Sequence, residues 1–168
     1  MSNENKTLAG STLFVGSVIY ILGTVLGDKY GNITLYNTSI VLLGVLMLVG
    51  AYFVQKAFKS MIFSLSLILA AVGTIGVGLL TYASTEYYVL AGLGYVFFAI
   101  SAILSYRFEK TPLNYISVVL GAVALLALGL WAGNVDLGSG IMVTPITIDM
   151  LVLLWLAGFG AHIIGDKD

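Results

Sequence analysis

Six long apolar runs follow one another along this chain, and they leave few folds open to it. They span about Leu8–Leu26, Thr38–Phe53, Met61–Tyr82, Tyr88–Ser105, Tyr115–Trp131 and Ile148–Ile164. A helix rising about 1.5 Å per residue needs roughly 20 such residues to cross the hydrocarbon layer of a bilayer, and the runs cluster around that length. Inside lipid the backbone must satisfy its own hydrogen bonds, so runs of this kind form helices. The alternating pattern of a membrane β-strand is absent. Composition points the same way: 60% of the chain is hydrophobic and 9% is charged, against about 25% charged in a soluble domain. A soluble fold of 168 residues could not hide so much apolar surface. The expected fold is all-α: an integral membrane bundle of six transmembrane helices forming one domain over residues 1–168. Its first partner is the lipid bilayer.

The links between the runs set the orientation. Gly27–Asn37, Ala83–Tyr87 and Ala132–Thr147 share one side of the membrane and hold a single basic residue, Lys29. The other side takes both termini and the links Val54–Ser60 and Tyr106–Asn114. It holds Lys6, Lys56, Lys59, Arg107, Lys110 and Lys167. Basic loops stay on the cytoplasmic side, so both termini are expected there, in the cell membrane. Tyr30, Tyr36, Tyr82, Tyr87, Tyr88 and Trp131 cluster at the expected outer surface, and Tyr52, Tyr106 and Tyr115 at the inner one. Amphipathic rings settle at headgroup level, so these belts read as anchors. A signal peptide ending near Gly27 is disfavoured, because the first run is long for such a segment.

Several function classes fall away. Net charge is −1 with no arginine-rich run, so no nucleic-acid partner is expected. The chain has no cysteine and one histidine, His162. Thiolate chemistry and multi-imidazole metal or haem sites are excluded on one chain, and no cofactor is expected. Gly138-Ser139-Gly140 invites a serine-hydrolase reading, but His162 is expected on the opposite side of the membrane.

The spans are rich in glycine. Gly23-x-x-x-Gly27 and Gly129-x-x-x-Gly133 are small-xxx-small patterns, while Gly73, Gly76, Gly78, Gly158 and Gly160 crowd the third and sixth runs. Small residues let helix backbones approach, so these faces serve packing within the bundle or association into a homo- or hetero-oligomer. A faint duplication pairs Asn37…Gly44 with Asn114…Gly121, Leu8-Ala9-Gly10 with Leu90-Ala91-Gly92, and Gly73 with Gly158 and Gly160. Two inverted three-helix repeats would produce it, and so would chance in a chain built from Leu, Val, Ala and Gly.

No charged residue stands at the centre of a run. Asp149 comes nearest, just after Thr144-Pro145-Ile-Thr147, where an acid suits the positive end of a helix. Hydroxyls such as Ser17, Thr24, Ser66, Thr74, Ser101 and Ser117 are expected to bond helix backbone. The first outer link carries two glycan acceptor patterns, at Asn32 and Asn37. The outer links also hold Asp28, Glu86, Asn134 and Asp136. Together these polar groups form a solvated rim or a small pocket for a lipid or small polar ligand at the outer face. Asn37, Glu86 and Asp149 are the chosen candidates, since each abuts a helix end.

A family pattern runs from about Leu8 to Gly165. It comprises Asn37-Thr-Ser-Ile-Val-Leu-Leu-Gly44, Gly50-Ala-Tyr52, Gly73-Thr-Ile-Gly-Val-Gly78, Ala102-Ile-Leu-Ser-Tyr-Arg107 and Leu154-Trp-Leu-Ala-Gly-Phe-Gly160. In these stretches the chain resembles a prokaryotic, mainly archaeal, family of six-helix membrane proteins known as domain of unknown function 998. The resemblance implies the six-helix fold and membrane location and brings no activity. Where the family often has a histidine near the outer start of the fourth helix, this chain has Tyr87 and Tyr88. The sequence therefore favours a non-enzymatic binding or accessory component of the membrane. A small-solute or lipid transporter with inverted three-helix repeats stands second, and an intramembrane enzyme third.

Overall fold

Each apolar run folds into one α-helix in the computed structural model, which describes residues 3–80, 84–133 and 144–166, without the side chains of Pro145 and Ile146. The helices are α1 (Asn3–Tyr30), α2 (Ile33–Phe58), α3 (Met61–Leu79), α4 (Thr85–Ser105), α5 (Leu113–Ala132) and α6 (Pro145–Gly165). All six are long and apolar enough to cross a membrane. Asn134, Asp136, Gly138-Ser139-Gly140, Tyr82 and Lys167 lie outside the described residues.

Most helices run past the ends of their apolar runs. α1 begins five residues before Leu8 and ends four after Leu26, and α2 gains about a turn at each end. Hydropathy marks the hydrocarbon layer, whereas a helix persists through polar residues in the headgroup zone. The long first link is thereby corrected to a tight turn at Gly31 and Asn32. Gly31 takes a left-handed φ of 59° there, a conformation glycine adopts without steric cost. Asn32 caps α2, its side chain accepting from the Leu35 N–H at 3.0 Å. Ser60 and Ser84 cap α3 and α4 in the same way.

The helices pack as a closed ring in chain order, with α6 returning to α1 and a lesser contact between α4 and α6. The outward surface is apolar: Leu22, Val25, Ile62, Val119, Leu126 and Leu154 are all exposed. Such a girdle would be a liability in water and is at ease in lipid. The inward surface is made of small residues. A Cβ on Gly10 would lie 2.5 Å from the Gly160 carbonyl, one on Gly44 3.0 Å from the Ala71 carbonyl, and one on Gly121 2.7 Å from the Ala99 carbonyl. These glycines let neighbouring backbones touch, which is how helices associate where burial brings no hydrophobic gain. The Gly23 and Gly27 face is occupied by Ser39 and Tyr36 of α2, so its packing is internal to the chain. Among the glycines paired by the faint duplication, Gly44 and Gly121 both press on a neighbouring helix's carbonyl, whereas the other pairs are mixed. Gly10 is clamped against α6, while Gly92 and Gly158 face open space.

The start of α1 and the end of α6 lie at one end of the ring, here the terminal face. Asp166 ties that face together: it accepts from Lys6 Nζ at 2.8 Å and forms an ion pair with Lys110 Nζ at 2.8 Å. The two ammonium groups, Lys110 foremost, hold its carboxyl down at about 2. Because the folded value lies below the ordinary one, the pairing adds stability above about pH 4 and loses it as pH falls toward 2. Wild type should therefore melt above Asp166→Asn near neutral pH, and thermal scans in acid should show the gap closing.

Aromatic rings fill the middle of the terminal half of the ring. Phe63 and Phe108 stack at 5.2 Å, Phe63 and Phe159 meet edge-on at 5.5 Å, and Trp155 stacks on Phe159 at 5.6 Å. The Trp155 indole donates to Ser105 Oγ at 3.1 Å. Glu109 lies beside this plug, 2.9 Å from Ser117 Oγ and 3.0 Å from Ser105 Oγ. Burial raises its carboxyl above the usual range, and the two hydroxyls offset part of that.

Candidate functional site

The opposite half of the ring encloses a cavity of about 400 Å³. Three helices bring polar groups into it because of where those groups fall on each inner stripe. Asp149 shares a helical face with the buried Val152, Leu153 and Leu156. Tyr20 lies in line with Leu13, Gly16, Ser17, Gly23 and Gly27 of α1. Tyr95 follows Ala91 and precedes Phe98, Ala99 and Ala102 on the buried face of α4. The three meet across the ring. Tyr95 O–H donates to Asp149 Oδ1 at 2.8 Å, and Tyr20 O–H donates to Oδ2 at 3.0 Å.

Tyr36, Tyr87 and Thr74 add further polar groups to the lining, and Gly73 and Gly94 form part of its wall. The Tyr36 ring sits 6.4 Å from that of Tyr20. Trp131 of α5 meets Tyr95 edge-on at 6.3 Å. The cavity starts near Thr144 and Tyr87 at the far face and ends on Leu43 and Phe98. Tyr95 stands at the midpoint of α4, about 15 Å from either end of that helix. Polar lining therefore reaches the midpoint of α4 from the far-face end of the cavity.

This geometry corrects the reading of Asp149 as a helix cap. Thr144 is the N-cap residue of α6 and makes no side-chain cap bond. Asp149 lies one turn further on, and both its oxygens are engaged by phenols of other helices. Of the three chosen candidates, Asp149 lines the cavity and Asn37 and Glu86 do not. Asn37 is half-buried on α2, its carbonyl against Gly78, and Glu86 is exposed in the first turn of α4. Tyr36 and Tyr87, read as belt anchors, turn inward to the cavity, whereas Tyr30 and Tyr88 stay exposed.

Comparison of the chain with known protein families, curated proteins and solved structures finds no match. The site therefore stands on its own chemistry. Tyr20 and Tyr95 went unnoticed in the sequence, although a signal was there: among ten tyrosines, these two sit deep inside apolar runs, away from both belts. The hydroxyls behave mostly as expected. Ser17, Ser66, Thr74 and Ser101 donate to carbonyls three or four residues back. Ser117 instead bonds Glu109, and the buried Thr24 Oγ1 has no partner among the described residues.

An ionised carboxylate accepts hydrogen bonds and offers none, and each oxygen has room for a second donor. Asp149 thus presents unused acceptor capacity to a cavity walled by aromatic rings. That combination suits a positively charged nitrogen: the carboxylate supplies the counter-charge, and tyrosine faces attract cations by their quadrupoles.

Proposed function

We propose that the protein binds a small, positively charged solute in this cavity, and that binding is the first step of its passage across the membrane. The carrying observation is Asp149, an acid inside a membrane span, held by Tyr20 and Tyr95 in a cavity that reaches the midpoint of α4. An ionisable group in a span is expensive and is kept where function needs it. A one-sided cavity above an aromatic plug is what one state of an alternating-access carrier requires. The readout is uptake of radiolabelled tetramethylammonium by vesicles holding the purified protein. Uptake above that of empty vesicles, lost in Asp149→Asn, is the expected result; none in either orientation of the gradient would remove the transport step.

The second reading is a binding or accessory component that holds its ligand without moving it. The closely packed glycine crossings of the ring favour this reading, because they leave the helices little room to rock. Asp149-dependent binding without uptake would select it.

The far face is proposed to lie outside the cell, on the basic bias of the opposite loops. The absence of cysteine makes this simple to test. A membrane-impermeant maleimide should label Glu86→Cys on intact cells, and Lys59→Cys only after permeabilisation. The opposite pattern would invert the topology. Membership of the six-helix family named above remains part of this proposal and rests on the five sequence stretches.

A further inference from the structure

A second cleft, of about 730 Å³, opens on the outside of the ring between α1 and α6. Its origin is a divergence of two helices. In the terminal half α1 and α6 touch at Gly10 and Gly160, close enough that a Cβ on either would strike the other's backbone. Toward the far face they part. The gap is lined by Ile21, Thr24 and Val25 on one side and by Met150, Leu154 and Ala157 on the other. From Tyr20 to Asp28 the α1 wall is about 12 Å long at 1.5 Å per residue. Val25, Met150 and Leu154 at its mouth are exposed on the lipid-facing surface.

The cleft and the central cavity share Tyr20, Tyr36, Asp149 and Leu153. The Tyr20–Asp149 hydrogen bond bridges the gap between them. Asp149 therefore faces an aromatic cavity on one side and a mostly apolar slot on the other.

We propose that the ligand is a single-tailed amphiphile with an ammonium head. The tail lies in the α1–α6 cleft and the head rests on Asp149 among Tyr20, Tyr36 and Tyr95, having entered sideways from the bilayer. This rests on the cation-binding reading above and adds the tail and its route. Charge selects the head. A phosphate or sulfate head would set a second negative charge beside Asp149, which like-charge repulsion disfavours. The apolar walls select the tail.

The test uses the full chain in phosphatidylcholine nanodiscs, with empty discs as background and affinities expressed against free aqueous probe. The probes are tetramethylammonium, octyltrimethylammonium and octyl sulfate. Octyltrimethylammonium should bind at least about a hundredfold tighter than tetramethylammonium, because its methylenes leave water for an apolar slot. Octyl sulfate should show no saturable binding. The cleft-filling variants Val25→Trp and Ala157→Phe should remove the octyl advantage and leave tetramethylammonium binding unchanged, which also shows that they fold. Equal affinity for the two cations would overturn the amphiphile and leave the cation site standing. An octyl advantage that survives both fillings would place the tail elsewhere and overturn the cleft. Saturable octyl sulfate binding would overturn the charge selection. Loss of tetramethylammonium binding in both filled variants would overturn the separation of cleft from cavity. Binding of neither cation would sink this inference and the cation-binding reading together.

Discussion

Replacing Asp149 by asparagine is expected to weaken tetramethylammonium binding by about a hundredfold or more while leaving the protein folded at least as stably as wild type. The binding loss follows from charge. Removing one member of a buried charge pair costs about 2–5 kcal/mol, and asparagine keeps the shape of the side chain without its charge. The stability result follows from what Asp149 does in the empty protein. It is a membrane-embedded acid whose two carboxylate oxygens are each engaged by a phenol hydroxyl. An uncharged amide still accepts from one phenol and sheds the cost of holding a charge in a span. A residue that burdens the fold and is needed for binding is a functional residue, since activity commonly rests on groups that stability would not choose. Calorimetric titration and a melting curve on the same preparation check both halves. Unchanged affinity would remove Asp149 from the site. A collapse in melting temperature would make it structural.

The second large effect separates two glycines that the sequence cannot tell apart. Gly73 and Gly94 face each other where α3 crosses α4. A Cβ on Gly73 would lie 2.7 Å from Gly94 Cα and N and 2.8 Å from the Leu90 carbonyl. All three are backbone atoms, so no side chain can rotate away and the two helices must separate. Gly73→Ala should therefore destabilise by about 1–3 kcal/mol, the usual cost of overpacking a close interior. A Cβ on Gly94 would meet nothing nearer than 3.6 Å, and one on Gly92 would meet nothing within 4 Å. Alanine at either should be neutral or mildly stabilising, because it lowers the entropy lost when a helix forms. Denaturation in a mild detergent with the three variants side by side gives the measurement. Equal losses at positions 73 and 94 would show that the crossing is looser than drawn.

The candidate site was partly visible beforehand. Asp149 stands out in the sequence as an acid next to an apolar run, and it does line the cavity. Asn37 and Glu86 looked equivalent by the same test, being polar and at helix ends, yet neither is among the residues that line it. Proximity to a helix end fixes depth in the membrane and says nothing of direction around the helix axis. Tyr20 and Tyr95 lie 129 and 54 residues from Asp149, so no local pattern connects them. The inward turn of Tyr36 and Tyr87 was hidden for another reason. A tyrosine at headgroup depth satisfies the anchoring rule whether its ring faces lipid or the bundle.

Sequence alone determined the number of helices, their order and their common apolar character. Transfer from water to lipid is close to a sum over residues along the chain, and six runs of the right length have one outcome whatever their neighbours are. The tertiary structure decided which face of each helix looks inward. In a soluble protein an apolar stripe opposite a polar one announces that face. Here lipid and core are both apolar, so the stripes carry little contrast. The rotation of each helix is set instead by where backbones can touch, at Gly10, Gly44, Gly73, Gly121 and Gly160. Those contacts close the ring on Phe63, Trp155 and Phe159 at one end. At the other they turn Asp149 toward Tyr20 and Tyr95, creating a site that exists only once six helices have met.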